Sequence, residues 1–234
     1  MLGVRYPCTP SAKYMQVVQD LFGAEPHLLI VGVDEVGRGC LAGPVSACAY
    51  AFHARAQSVD GLKDSKRLSP RQRAALVPIL EALGHHGHGE ATAAEIDQLG
   101  IVAANFLAME RAVHALIVAA SMSPGALHVV VDGNQGPSFS PLQLGRIECL
   151  VKADDLVPAV SAASVLAKVR RDRWMAAQAT HWPGYGFESH AGYGSPGHIA
   201  AIQTLGPCSL HRMTFAPLRT THSTAISRPK TRPF

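Results

Sequence analysis

The chain predicts an α/β fold, a mixed sheet covered by helices. Three features carry that reading. Continuous apolar runs, LLIVGV at 28–33 and the start of ALHVVVDGNQG at 126–136, have the length and character of strands buried on both faces. These runs alternate with longer segments of helical periodicity. The first run and VSACAYAF at 45–52 flank a turn region, 36–44, so the first two strands form an antiparallel hairpin.

Each element has its own signal. SAKYMQVVQDLFGA (11–24) sets Tyr14, Val17, Val18, Leu21 and Phe22 on one face of a short helix, which Glu25-Pro26 ends. The hairpin strands follow. The polar loop GLKDSKRLSP (61–70) closes with Ser69 as N-cap and Pro70 at the first position of a helix running to about Leu83. GHHGHGEA (84–91) is ambiguous, with a weak strand as one reading. Residues 94–120 are helical with a break near Gly100. ALHVVVDGNQG is a strand ending in an acid and a turn, and RIECLVKADD (146–155) repeats that shape. PAVSAASVLAKVRRDRWMAAQAT (158–180) reads as one long helix, and Ser195-Pro196 starts a last one reaching about Gly206. From 219 onward the chain is rich in Pro, Thr and Arg and reads as disordered.

Composition narrows the classes of function. An apolar fraction of 47% excludes wholesale disorder. No uninterrupted apolar run approaches the ~18–20 residues of a membrane span. MLGVRYPCTPSAKY lacks a basic region leading into an apolar one, so no signal peptide is expected and the cytoplasm is the expected setting. Five scattered cysteines without a C-x-x-C pair argue against a disulfide framework and a cysteine zinc site. The net charge of +4 comes from Arg219, Arg228, Lys230 and Arg232, so the remainder is nearly neutral. Any nucleic-acid contact must therefore rest on local clusters.

The main clue is a repeated pattern. IVGVDE, HVVVDG and CLVKADD each end an apolar run in a carboxylate. Strand ends are where α/β sheets collect ligands. Acids gathered from three strands repel one another unless a cation sits among them, and an all-oxygen set suits Mg²⁺ or Mn²⁺. Two such ions are the usual device for hydrolysing a phosphodiester. Asp34 and Glu35 are adjacent, however, and a regular strand sends neighbours to opposite faces. Both reach one cluster only if the strand ends or bulges there; otherwise one acid faces the cluster and the other caps the loop. The Gly37-Arg38-Gly39 loop that follows lets main chain approach a ligand, or simply makes a tight turn. The histidines lack zinc spacing, and neither G-x-S-x-G nor a dinucleotide fingerprint is present.

These segments resemble ribonuclease HII, the bacterial type 2 RNase H family. DEVGRGCLAGPV, GLKDSKRLSPRQR, VVVDGN, VKADDLVPAVSAASVLAKVRRDRWM, PGYGFESHAGYGSPGH and LHRMTFAPL are similar to its successive blocks, in order, over residues 28–218. The resemblance implies an RNase H-like mixed central sheet flanked by helices, with a small helical C-terminal part at about 183–218. It implies a metal-dependent endonuclease acting on RNA–DNA hybrids and on single ribonucleotides in duplex DNA, cutting on their 5′ side to leave 3′-hydroxyl and 5′-phosphate ends. Asp34, Glu35, Asp132 and Asp154 match its catalytic, metal-holding acids. The residues alone leave Asp154 and Asp155 open; the register of V-P-x-V-S-A-A-S selects Asp154. Gly37, Arg38 and Gly39 match the segment that reads the ribose 2′-hydroxyl, and Tyr193 the tyrosine that packs on the sugar or base. Lys66 is a candidate phosphate ligand with Lys63, Arg67, Arg71 and Arg73 beside it, and Lys168 leads a second basic cluster with Arg170, Arg171 and Arg173. Arg171 and Asp172 have a structural pairing as their alternative, and His211 is expected to be structural. Cys40, Ala153 and Ala191 stand where the family usually has proline, glycine and lysine.

The expected organisation is an N-terminal extension (1–27), a catalytic domain (28–218) and a basic tail (219–234). The expected cofactor is Mn²⁺ or Mg²⁺, and the expected partners are hybrid and ribonucleotide-containing duplexes, without a membrane or an obligate protein partner. Ribonuclease HIII, which generally carries an additional N-terminal domain and departs from G-R-G, is the alternative enzyme. A hybrid-binding module without catalysis is the alternative of another class.

Overall fold

The computed structural model describes residues 28–53, 59–63 and 65–219. The helix expected at 11–24 and the tail beyond residue 219 lie outside the described residues.

The sheet begins with β1 (Leu29–Val36) and β2 (Val45–Phe52), paired antiparallel as expected of the hairpin. β1 runs further than its apolar part: Asp34 and Glu35 pair across the ladder with Cys48 and Ala47. The two acids therefore stand within the strand, not beyond its end. α1 (Pro70–Leu83) follows, with Ser69 and Gln72 forming a reciprocal capping box and Pro70 where its missing N–H is harmless. GHHGHGEA becomes a full edge strand, β3 (Gly84–Ala91), paired antiparallel along the whole of β2.

α2 (Ala93–Leu99) and α3 (Ile101–Ala120) are separated at Gly100, whose φ of +79° few other residues adopt. The poor strand propensity of β3 has its reason here. Gly87 and Gly89 lie directly under the α3 backbone, and a Cβ at either would overlap main-chain atoms of Ala108, Ala112 or Leu116. By length and composition α3 could cross a bilayer. Here it lies flat on the sheet, burying Ala104, Ala108, Met109, Ala112, Val113 and Leu116.

β4 (Leu127–Asp132) runs parallel to β1, and β5 (Arg146–Leu150) runs parallel to β4. The order is β3-β2-β1-β4-β5. β4 ends on its acid, but β5 stops at Leu150, and the acids of CLVKADD fall in a short helix, α4 (Ala153–Leu156). A left-handed Lys152 makes that turn. α5 (Pro158–His181) covers the other sheet face together with α1. Its start presses so closely on β1 that a Cβ on Gly32 would stand 2.5 Å from the Ala159 carbonyl oxygen. α6 (Phe187–His190) and α7 (Pro196–Leu205) are the last helices among the described residues, and Ser195 caps α7 as expected. They form a third apolar cluster around Phe187, Met175 and Leu218, which reaches Leu41 and Ala42 behind the Gly37–Gly39 loop.

Candidate active site

Where β1 and β4 part, each strand keeps its outer neighbour but not the other, and the gap between them is rich in charge. Their parallel register runs from Leu29↔Leu127 to Val33↔Val131, so one further step sets Asp34 beside Asp132. α5 passes over the same point and contributes Ser164 and Lys168. The 65–67 turn contributes Ser65 and Lys66, and the stretch between α6 and α7 contributes Tyr193. Together with Glu35 and the Gly37–Gly39 loop, these groups line one cavity of about 250 Å³.

The adjacency of Asp34 and Glu35 is resolved without a bulge. Asp34 is buried on the α5 side, where the Ser164 hydroxyl donates to it. Ser65 Oγ lies 2.8 Å from Ser164 Oγ and extends that chain. Glu35 is turned differently, meeting Arg38 Nη1 at 3.1 Å and also lining a smaller cavity of about 60 Å³ with Asn105 and Asp132. The acids thus wrap around the end of the sheet, which the alternation of a regular strand permits once its neighbour β4 has stopped.

Burial, then the charge of Glu35, pushes the Asp34 carboxyl up to about 8, with Asp132 adding to the effect. Asp132 is raised too, chiefly by burial, although the Ala153 amide donates to its Oδ1 at 2.8 Å. The first turn of α4 therefore holds the acid at the end of β4. Asp154 lies outside the lining of the cavity: it is buried, with Lys66 Nζ 3.4 Å away, and Ser161 Oγ donates to its carbonyl at 2.6 Å. Asp155 is exposed and meets Arg67 at 3.1 Å. Of the two, Asp154 is therefore the buried member and Asp155 the solvent-facing one.

The donor set fits a hard cation: Asp34, Glu35 and Asp132 offer carboxylate oxygens, and burial and like charge make ionisation of Asp34 and Asp132 costly, a cost that a bound cation would offset. Among the described residues no three His, Cys, Asp or Glu side chains converge closely enough to enclose an ion as they stand.

The remaining expected contacts divide. Gly37, Arg38, Gly39, Lys66, Lys168 and Tyr193 all face the cavity. Lys168 Nζ lies 5.5 Å from the centre of the Tyr193 ring and bonds Asp172 at 2.8 Å. The basic cluster headed by Lys168 does not act as one surface. Arg170 turns to Glu90 at 3.6 Å, and with Arg173 it borders a separate groove beside His86 and His88. Arg171 is fully buried, as its structural alternative required. A helix of ~3.6 residues per turn sends neighbouring arginines to different sides, so the run in sequence is no run in space. His211 is buried against His198, with their Nε2 atoms 3.1 Å apart. Ser65, Ser164 and Arg212 were not singled out from sequence; Ser164 stands one turn before Lys168 on α5, a spacing that could have flagged it.

The sheet order, with helices on both faces and an acid-lined cavity where β1 and β4 part, is that of the RNase H-like fold class. The family profile described as Ribonuclease HII matches residues 31–218. The chain belongs to that family, and its enzyme class is ribonuclease H. It is 45% identical over 220 residues to the ribonuclease HII of Burkholderia cenocepacia, a match spanning 94% of this chain and 97% of that one. Among solved structures, ribonuclease H2 from Pyrococcus horikoshii superposes with a TM-score of 0.67 at 24% identity, covering 86% of this chain and 100% of that one. Bst-RNase HIII in complex with Mn²⁺ superposes at 0.64 with 17% identity, covering 97% and 77%. Both show the shared fold.

Proposed function

We propose that the enzyme is a divalent-metal-dependent endonuclease that cleaves the RNA strand of RNA–DNA hybrids and incises 5′ to single ribonucleotides in duplex DNA, leaving 3′-hydroxyl and 5′-phosphate ends. The observation that carries this reading is the meeting of Asp34, Glu35 and Asp132 with the Gly37-Arg38-Gly39 loop in one cavity. Asp34, Glu35 and Asp132, with Asp154 as the fourth, would hold Mn²⁺ or Mg²⁺. When bound, a pair of such ions supplies an activated water, a polarised phosphate and a stabilised leaving oxygen. The Mn²⁺ complex of the structurally similar Bst-RNase HIII supports the choice of ion.

The chain's own groups do the rest. Lys66 and Lys168 offer point charges to the backbone phosphates, contacts that position a duplex without reading its sequence. Main-chain groups of the Gly37–Gly39 loop meet the ribose 2′-hydroxyl, the group that separates RNA from DNA. Tyr193, partly exposed at the cavity, offers a ring to the sugar or base at the junction. Ser164 orients the Asp34 carboxylate through its hydroxyl.

The test is incision of a DNA duplex carrying one ribonucleotide, with Mg²⁺, Mn²⁺ or EDTA, by wild type and Asp132→Asn. Metal-dependent cutting 5′ to the ribonucleotide, lost in the variant, is the expected result. Binding without incision under every metal condition would refute the enzyme and favour a binding module.

A further inference from the structure

Behind the loop that meets the ribose stand two arginines with no part in the chemistry. Arg171, on α5, and Arg212, in the segment after α7, are each 0% exposed. Their guanidiniums bond main-chain carbonyls. Arg212 Nη2 donates to the Gly37 carbonyl at 2.7 Å and to that of Gly43 at 2.9 Å, while Nη1 donates to Arg38 at 2.8 Å. Arg171 donates to Pro44, Ala42 and Ala191 at 3.0, 3.2 and 2.9 Å. A planar guanidinium is a rigid fork, so such bonds fix direction as well as distance.

Direction is what matters in this loop. In a trans peptide the C=O and the next N–H point opposite ways. With the Gly37 and Arg38 carbonyls drawn inward, the amides of Arg38 and Gly39 turn outward, and both residues are exposed at the mouth of the cavity. Successive N–H groups facing one way form a concave donor site for an oxygen ligand. Gly37 shows how tightly this is built: its φ is +88°, and a Cβ there would stand 2.7 Å from the Arg171 guanidinium carbon.

We propose that Arg171 and Arg212 are positioning residues for ribose discrimination, aiming the Arg38 and Gly39 amides at the 2′-oxygen of the ribonucleotide. This deepens the function proposed above and rests on it. The pair acts through the loop and never touches substrate.

The experiment compares kcat/KM on a duplex carrying one ribonucleotide and on the same duplex carrying a 2′-deoxy-2′-fluoro nucleotide there, for wild type and Arg212→Lys. Because misplacement by about 1 Å can cost ~100-fold, Arg212→Lys is expected to lose ~100-fold on the ribonucleotide and less than about threefold on the fluoro analogue. Equal losses on both substrates, or none, overturn the proposal. A buried lysine can unfold the protein, so amide hydrogen exchange on wild type in EDTA provides the second reading. Arg38 and Gly39 are expected to exchange freely alone, and to be protected by the ribonucleotide duplex but not by an all-DNA duplex. Equal protection by both, or by neither, overturns the proposal. Wild type that fails to cut the ribonucleotide duplex in Mn²⁺ refutes the function itself, while the exchange result still decides where the amides point.

Discussion

Asp34 is a buried acid with like charges for neighbours, and the metal-free protein bears the cost. Its carboxyl titrates at about 8 in the folded chain, raised by burial and then by Glu35, against 3.8 in an exposed one. Between those values the unfolded chain releases a proton that the folded chain retains, so stability falls as pH rises. Below about pH 4 both states are protonated and the penalty vanishes; above about pH 8 it is complete. At ~1.4 kcal/mol per pKa unit, the penalty at pH 7 has a ceiling of about 4 kcal/mol. Asp34→Asn keeps the shape and an acceptor for Ser164 while removing the charge. Denaturant unfolding in EDTA should therefore show the variant more stable than wild type by a few kcal/mol at pH 8, a gap that narrows towards pH 4. The difference between the two proteins matters, because burial holds His88 and His211 at about 4, and these oppose folding as pH drops below 6.5 in both proteins. Mn²⁺ should raise the stability of wild type more than that of the variant. A variant no more stable than wild type at pH 8, or a gap independent of pH, would refute the electrostatic reasoning.

Two further outcomes are expected. Gly32→Ala places a methyl group against the main chain of Ala159 and Val160, which cannot rotate away, so it should cost about 3 kcal/mol or more and lower the thermal midpoint, measured by circular dichroism. Ser164→Ala removes the hydroxyl that donates to Asp34 and bonds Ser65; a hydrogen bond to a charged group is worth ~1.5–3 kcal/mol, so kcat/KM should fall about 10–100-fold with little change in KM.

The α/β class, the hairpin, the capped starts of α1 and α7 and the break at Gly100 were legible in the sequence because each rests on local chemistry: apolar period, capping side chains or glycine. Asp34, Glu35 and Asp132 were legible for the same reason, as acids closing apolar runs, and the motifs carried the loop, Lys66, Lys168 and Tyr193 with them. What eluded local reading depends on neighbours distant in sequence. GHHGHGEA looks like a poor strand until α3 lies on it, when Gly87 and Gly89 leave the room that a Cβ would take from the helix backbone. Asp154 seemed to end a strand, yet it stands on a helix turn and faces Lys66, because a left-handed Lys152 redirects the chain. Arg170, Arg171 and Arg173 formed one basic run in sequence, but helical rotation sends one into the core and the others to a separate groove. Sequence by itself determined which elements form and which chemistry they carry, since propensity, period and capping act over a few residues. Tertiary structure alone decided that two acids on opposite faces of β1 share a cavity and that buried guanidiniums hold the loop beside them, because direction and burial are set by contacts between residues as far apart as Gly37 and Arg212.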